Sequence, residues 1–245
     1  MAFVATAIAS ALGWRGPFIV LAIPTTIFGI LFYVFLGRSE TVKNRNAEIS
    51  ESKNKTHPVS KHNRQLVVMI ILGSLTSAIL ISTISFVPLM LVDKFGVSEK
   101  GAAALLSLIY SAGIWAAPLG GYLSDRMGKI RVILAICFLG GPVVWLLNIF
   151  PYGIVTWALL LALGVSHVAR MPVLEAFVVS NTSESNRSTI LGIYYFSGME
   201  TGGLLTPVMG SLIDRSGFYT SFSLAGTALF TVTLICSFWL WNIRK

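Results

Sequence analysis

Charge is scarce in this sequence: 11% of its 245 residues are charged, against about 25% in ordinary soluble domains. With 55% hydrophobic residues and a mean hydropathy of +0.78, that shortage excludes a water-soluble globule. Cysteine is nearly absent as well. Cys137 and Cys236 both lie in apolar runs with no C-x-x-C spacing, which excludes a disulfide framework and a zinc site and leaves them as packing residues. The sequence also lacks G-x-S-x-G, H-E-x-x-H, G-x-x-x-x-G-K-[ST] and any Cys/His cluster. No enzyme chemistry, metal or cofactor is therefore indicated.

Long apolar runs are what the sequence has instead. A run needs about 20 residues to cross a bilayer as a helix. Seven qualify: Pro17 to Leu36, Leu66 to Val92, Gly101 to Leu123, Val132 to Phe150, Ile154 to Val179, Ser188 to Ile213 and Phe218 to Trp241. The expected fold class is an all-α, polytopic membrane protein. A shorter apolar piece, Met1 to Leu12, lacks the basic start and small-residue cleavage site of a signal peptide and reads as the end of a helix that begins upstream.

The net charge of +8 has a topological explanation. Alternating loops place Arg38, Lys43, Arg45, Lys53, Lys55, Lys61, Arg64, Arg126, Lys129, Arg131, Arg187, Arg244 and Lys245 on one face. Only Arg15, Lys94, Lys100 and Arg215 fall on the other, and Arg170 lies inside a run. This asymmetry marks the basic face, with the Arg38 to Gln65 loop and the C-terminus, as cytoplasmic. Nucleic acid is not needed to account for the charge. The N-x-[ST] matches at Asn54, Asn181 and Asn186 lie on that same face and read as chance.

A repeat carries the sharpest signal. Gly121 to Gly128 and Gly210 to Gly217 both read G-x-x-x-D-R-x-G, each at the end of an apolar run, three crossings apart. One copy therefore emerges at each membrane face, as inverted three-helix repeats require. In each copy the first glycine allows close helix approach. Asp125 with Arg126, and Asp214 with Arg215, need water or each other. Gly128 and Gly217 permit the positive φ of a helix end.

Gly121 to Arg131, G-Y-L-S-D-R-M-G-K-I-R, resembles the signature loop of the major facilitator superfamily, and includes Lys129. Leu12 to Phe18 resembles the family's connection between helices 5 and 6, and Arg38 to Gln65 its central loop. The resemblance implies a division into residues 1–37 (end of helix 5 and helix 6), 38–65 (central loop) and 66–245 (the C-terminal six helices). It also implies five further helices upstream, a substrate site between two six-helix halves, and a plasma-membrane location.

Ionisable groups at membrane depth are functional candidates by default. The fifth run carries His167, Arg170 and Glu175, and the sixth carries Glu200. His167 and Glu200 fall near mid-depth, with Arg170 one helical turn from His167. Glu175 is about 140° round the helix from Arg170, so those two are not expected to pair. The short loop from Asn181 to Arg187 makes the two runs antiparallel neighbours, which brings an Arg170–Glu200 pair within reach. Such a pair has two readings. In one it only neutralises charge between helices. In the other Arg170 binds an anionic substrate group and Glu200 or His167 carries a coupling proton, with Glu175 a structural residue or a gate.

Prolines 24, 88, 118, 142, 172 and 207 fall in different runs, and each favours a kink. Small residues four apart, Gly113-Ala117-Gly121 and Gly198-Gly202-Thr206-Gly210, mark close helix contacts, either sliding surfaces or contacts within a bundle. The function expected from all of this is secondary active transport of a small solute by alternating access, ion-coupled, as part of a twelve-helix carrier. Arg170 tilts the substrate toward an organic anion, with sugars and amphiphilic drugs left open. The alternative is a non-transporting scaffold, sensor or transporter remnant. Cysteine labelling in intact cells checks the topology: impermeant reagent should reach a cysteine at Lys94 and spare one at Lys53, and the opposite pattern would invert it.

Overall fold

The computed structural model describes residues 15–36 and 61–244, all of them helical apart from short connections. The Met1 to Leu12 piece, most of the Arg38 to Gln65 loop and Lys245 lie outside the described residues. The helices are α1 (Gly16–Leu36), α2 (Lys61–Phe95), α3 (Glu99–Met127), α4 (Lys129–Ile149), α5 (Ile154–Val168), α6 (Arg170–Ser180) and α7 (Arg187–Arg244). The described residues fall into two compact units, α1 in one and α2 to α7 in the other.

Two elements differ from the expected spans, each for a local reason. The run from Ile154 to Val179 is bent into α5 and α6 at Ala169, which keeps helical dihedrals (φ -63°, ψ -24°). Pro172 has no N–H to give the carbonyl four residues back, that of Val168, and its ring crowds that carbonyl. The bend falls there. Conversely, the sixth and seventh runs join in α7, which is helical throughout except at Gly217 (φ 76°, ψ 171°). Its 55-residue apolar stretch is far too long, at about 1.5 Å per residue, for one crossing of a ~30 Å hydrocarbon layer. Ile190 and Tyr194 near its start and Cys236 and Leu240 near its end share one buried cluster, so the chain turns back at Gly217.

The α2 to α7 bundle has its apolar core in two main clusters. One gathers Val87, Met90, Leu91, Leu105, Leu147, Leu160 and Phe222, and the other Met69, Leu72, Ile133, Val173, Leu174 and Tyr194. At one end Lys94 donates to the Asn148 carbonyl at 2.5 Å, and Asn148 Nδ2 donates to the Tyr219 carbonyl (2.6 Å) and the Ser223 hydroxyl (3.0 Å). That knot joins α2, α4 and α7. Large apolar side chains such as Ile114, Ile154, Phe196 and Leu204 stay exposed, the pattern of a bundle whose outside meets lipid.

Close approach is set by small residues. A Cβ at Gly164 would run into the backbone of Ile109, and one at Gly120 into the Ala169 carbonyl at 2.5 Å, so α3 lies directly against the α5–α6 bend. Gly202 faces Ala78 and Gly210 faces Phe86, while the Thr206 hydroxyl meets that of Ser82 at 3.0 Å. These members of the second small-residue stripe are contacts of α7 with α2 inside the bundle. Gly164→Ala is expected to lower the thermal unfolding midpoint in detergent, the cost of overpacking being about 1–3 kcal/mol. Gly192→Ala, at an open helical position, should be neutral or gain up to about 1 kcal/mol. Equal stability of Gly164→Ala and the native chain would show that α3 and α5 can separate.

Candidate site around Arg170

The bend at Pro172 makes Arg170 the first residue of α6 and turns its side chain into the bundle, where it is 1% exposed. Arg170 Nη1 donates to the Gly73 carbonyl at 2.6 Å and to the Thr76 hydroxyl oxygen at 2.8 Å. Gly73 leaves room for this: a side chain there would press on Leu174 and Tyr194. Thr76 gives its own proton to the Leu72 carbonyl at 2.6 Å, so a lone pair is left for the guanidinium. Gly73 and Thr76 lie on α2 between Leu72 of one core cluster and Ile79 of the other. Arg170 is thus held well inside the bundle.

Around it are several polar groups with few bonds. Nε and Nη2 of Arg170 are buried without a partner among the described residues, and so is His167 Nδ1, one turn back along the bend. His167, Cys137 from α4 and Tyr194 from α7 all lie within electrostatic reach of the guanidinium. An unpaired buried donor costs about 1–3 kcal/mol, and more when it is charged.

The expected Arg170–Glu200 pair does not form. Helix α7 turns Gly202 and Thr206 toward α2, and Ser197 meets Ser74 there at 2.7 Å, while Glu200 lies on an exposed face. Glu175, half-buried on α6, faces the Tyr195 hydroxyl. Adjacency of the two helices was correct, but their rotation decides which side chains meet. Gly73, Thr76, Tyr194 and Tyr195 were missed as site residues. Thr76, three residues after Gly73 within an apolar run, was the available signal.

The repeat ends adopt the backbone their glycines permit, with φ 92° at Gly128 and 76° at Gly217. Their surroundings differ. Lys129 Nζ donates to the Ala176 carbonyl and the Ser180 hydroxyl, both at 2.9 Å, and so ties the signature loop to the end of α6. Arg126 lies over the Tyr122 ring at 4.8 Å, and Asp125, Asp214 and Arg215 are exposed. A Cβ at Gly121 would meet nothing, while one at Gly210 would sit 3.1 Å from Phe86. Among the described residues no group of three or more His, Cys, Asp or Glu is placed to hold a metal ion.

A bundle of membrane-length helices with an apolar outside defines a polytopic membrane protein. The Major Facilitator Superfamily model matches residues 1–207, and the chain belongs to that family. It is 24% identical over 137 residues to the mouse (Mus musculus) sphingosine-1-phosphate transporter SPNS2, a match covering 55% of this chain and 25% of that protein. A solved POT family transporter, crystallised in complex with a thioalcohol-conjugated peptide, aligns over 94% of this chain and 54% of its own length, with a TM-score of 0.60 and 15% identity. The chain therefore spans about a quarter of the first relative and about half of the second. Membership places it with membrane transport proteins and not with enzymes.

Removing Arg170 leaves no orphan behind. Thr76 keeps its bond to Leu72, and the Gly73 carbonyl is still that of a helix interior. Replacing a buried, half-satisfied charge by an apolar group of similar volume is often neutral or stabilising by about 1–4 kcal/mol. Arg170→Met is therefore expected to fold with an unchanged or higher unfolding midpoint in detergent. A fall of several degrees would mark Arg170 as a structural staple.

Proposed function

We propose that this chain is the later half of a twelve-helix carrier that moves a small organic anion across the plasma membrane by alternating access, coupled to an ion gradient. The carrying observation is Arg170, a fully buried cation with unpaired donors and no acidic partner among the described residues. A charge of that kind is destabilising unless something negative visits it. The relatives support the class: one is named for carrying a phosphate-bearing lipid, and the other was solved with a peptide bound. In this reading residues 1–37 complete the first half, 38–65 link the halves on the cytoplasmic side, and 66–245 form the second half.

The acidic residues take the coupling role. Glu200, exposed on α7 and free of Arg170, is the proposed carrier of the coupling proton, with His167 beside Arg170 as a second candidate and Glu175 with Tyr195 a gate. Gly121, Asp125, Arg126, Gly128 and Lys129, with Gly210, Asp214, Arg215 and Gly217, are the proposed conformational elements. Lys129 supplies the mechanical link, because motion of the loop is passed to α6 and its Arg170. Glu200→Gln tests the coupling. It keeps shape and hydrogen bonding but loses the titratable proton. In proteoliposomes carrying an internal pH dye, the wild type should acidify the lumen when substrate anion enters. Glu200→Gln should keep substrate exchange while losing more than about tenfold of proton-driven accumulation, a factor worth ~1.4 kcal/mol. Undiminished accumulation in a well-expressed Glu200→Gln protein would remove Glu200 from the mechanism.

A further inference from the structure

Arg170 is tied to α2 through one nitrogen only. The Gly73 carbonyl and the Thr76 hydroxyl oxygen take both hydrogens of Nη1. Nε and Nη2 are buried and unpartnered among the described residues. In a planar guanidinium, with Nη1 on the Cδ side, Nε–H and Nη2–H lie side by side along the other edge and point the same way. That edge is the fork that holds both oxygens of one carboxylate in parallel bonds.

Joining α6 to α2 does not require such a fork, since a simple amine can donate to the Gly73 carbonyl and to Thr76. What the two bonds do is fix the rotation of the guanidinium. Thr76 is itself held by its bond to Leu72, so the free edge has one direction before any ligand arrives. His167 Nδ1, also buried and unpartnered, is on the residue three positions before Arg170, one helical turn away.

We infer that the Nε/Nη2 edge of Arg170 is a preorganised receptor for a carboxylate of the transported solute, with Gly73 and Thr76 as positioning residues and His167 Nδ1 as a flanking contact. The inference rests on the anion-carrier reading and narrows its substrate class. Charge balance separates carboxylate from phosphate monoester. Arg170 supplies one positive charge, and the other Lys and Arg residues of the described bundle sit at helix ends or beside the Gly217 turn. A monoester carries about -1.5 to -2 at pH 7 and would bring surplus negative charge into the bundle. A carboxylate is neutralised. Neither acidic side chain of the neighbouring helices occupies the fork, Glu175 facing Tyr195 and Glu200 being exposed.

NMR of the full chain in lipid nanodiscs with 15N-arginine follows the Arg170 Nε–H resonance, assigned by its loss in Arg170→Lys, during titration with acetate, inorganic phosphate and chloride. Acetate is expected to give a saturable shift, with phosphate and chloride at least about tenfold weaker. Loss of one hydrogen bond to a charged group is worth roughly tenfold or more. Thr76→Val should weaken acetate by about that factor and Thr76→Ser should not. An equal response to phosphate overturns the carboxylate assignment. A shift that appears only in Glu175→Gln or Glu200→Gln shows that the chain's own carboxylate fills the fork, and overturns the receptor. A visible but unresponsive resonance in every variant does the same. Because no flux is needed, a chain that binds acetate here yet moves no solute would leave the fork standing and remove the transport reading alone.

Discussion

At membrane depth there is no water to satisfy a backbone N–H or C=O, so each must find its partner inside the protein. That constraint makes every described crossing a helix and explains where the hydroxyls point. Thr76, Thr83, Ser166 and Thr233 each return their proton to the carbonyl four residues back. Within a crossing, proline interrupts the hydrogen-bond ladder by removing one donor. At Pro172 the interruption coincides with the buried arginine, and the local defect in the helix becomes the feature around which the polar site is built.

Three of the cations inside and at the rims of the bundle share one solution. Arg170 rests on the Gly73 carbonyl, Lys94 on that of Asn148 and Lys129 on that of Ala176. Main-chain carbonyls carry partial charge, so these attachments do not draw on the acidic side chains. Glu200 stays exposed on α7, and Glu175 faces the Tyr195 hydroxyl. The cost is the unsatisfied edge of Arg170, whose Nε and Nη2 are buried without a partner among the described residues.

Helix packing sorts contacts by how firmly they are made. Along α3 and the α5–α6 bend, glycine brings backbone onto backbone at Gly164 and Gly120, and no side chain is left to adjust. Between α2 and α7 the contact runs instead through hydroxyl pairs, Ser74 with Ser197 and Ser82 with Thr206. On the α7 side the hydroxyls can change partners with little loss, since each also bonds within that helix, Ser197 to the Tyr194 carbonyl at 3.0 Å and Thr206 to the Gly202 carbonyl at 2.8 Å. Lys129 adds a third kind of contact, from the signature loop to the end of α6, through a long and adaptable side chain.

The sequence by itself determined the class of protein, the positions of the crossings and the repeat. Hydropathy, glycine at the two helix ends and proline all act within one helix and need no neighbour to be read. It also marked which ionisable residues fall inside apolar runs, because that needs only their position along the chain. Rotation was beyond it. Whether Glu200 or Ser197 turns toward α2 depends on how side chains of two helices interlock, and that information is spread over residues more than a hundred positions apart. The tertiary structure alone decided that Arg170 meets Gly73 and Thr76 and not a carboxylate, because that outcome needs the space left by a glycine, the spare lone pair of a threonine and the direction of a bend to coincide at one point.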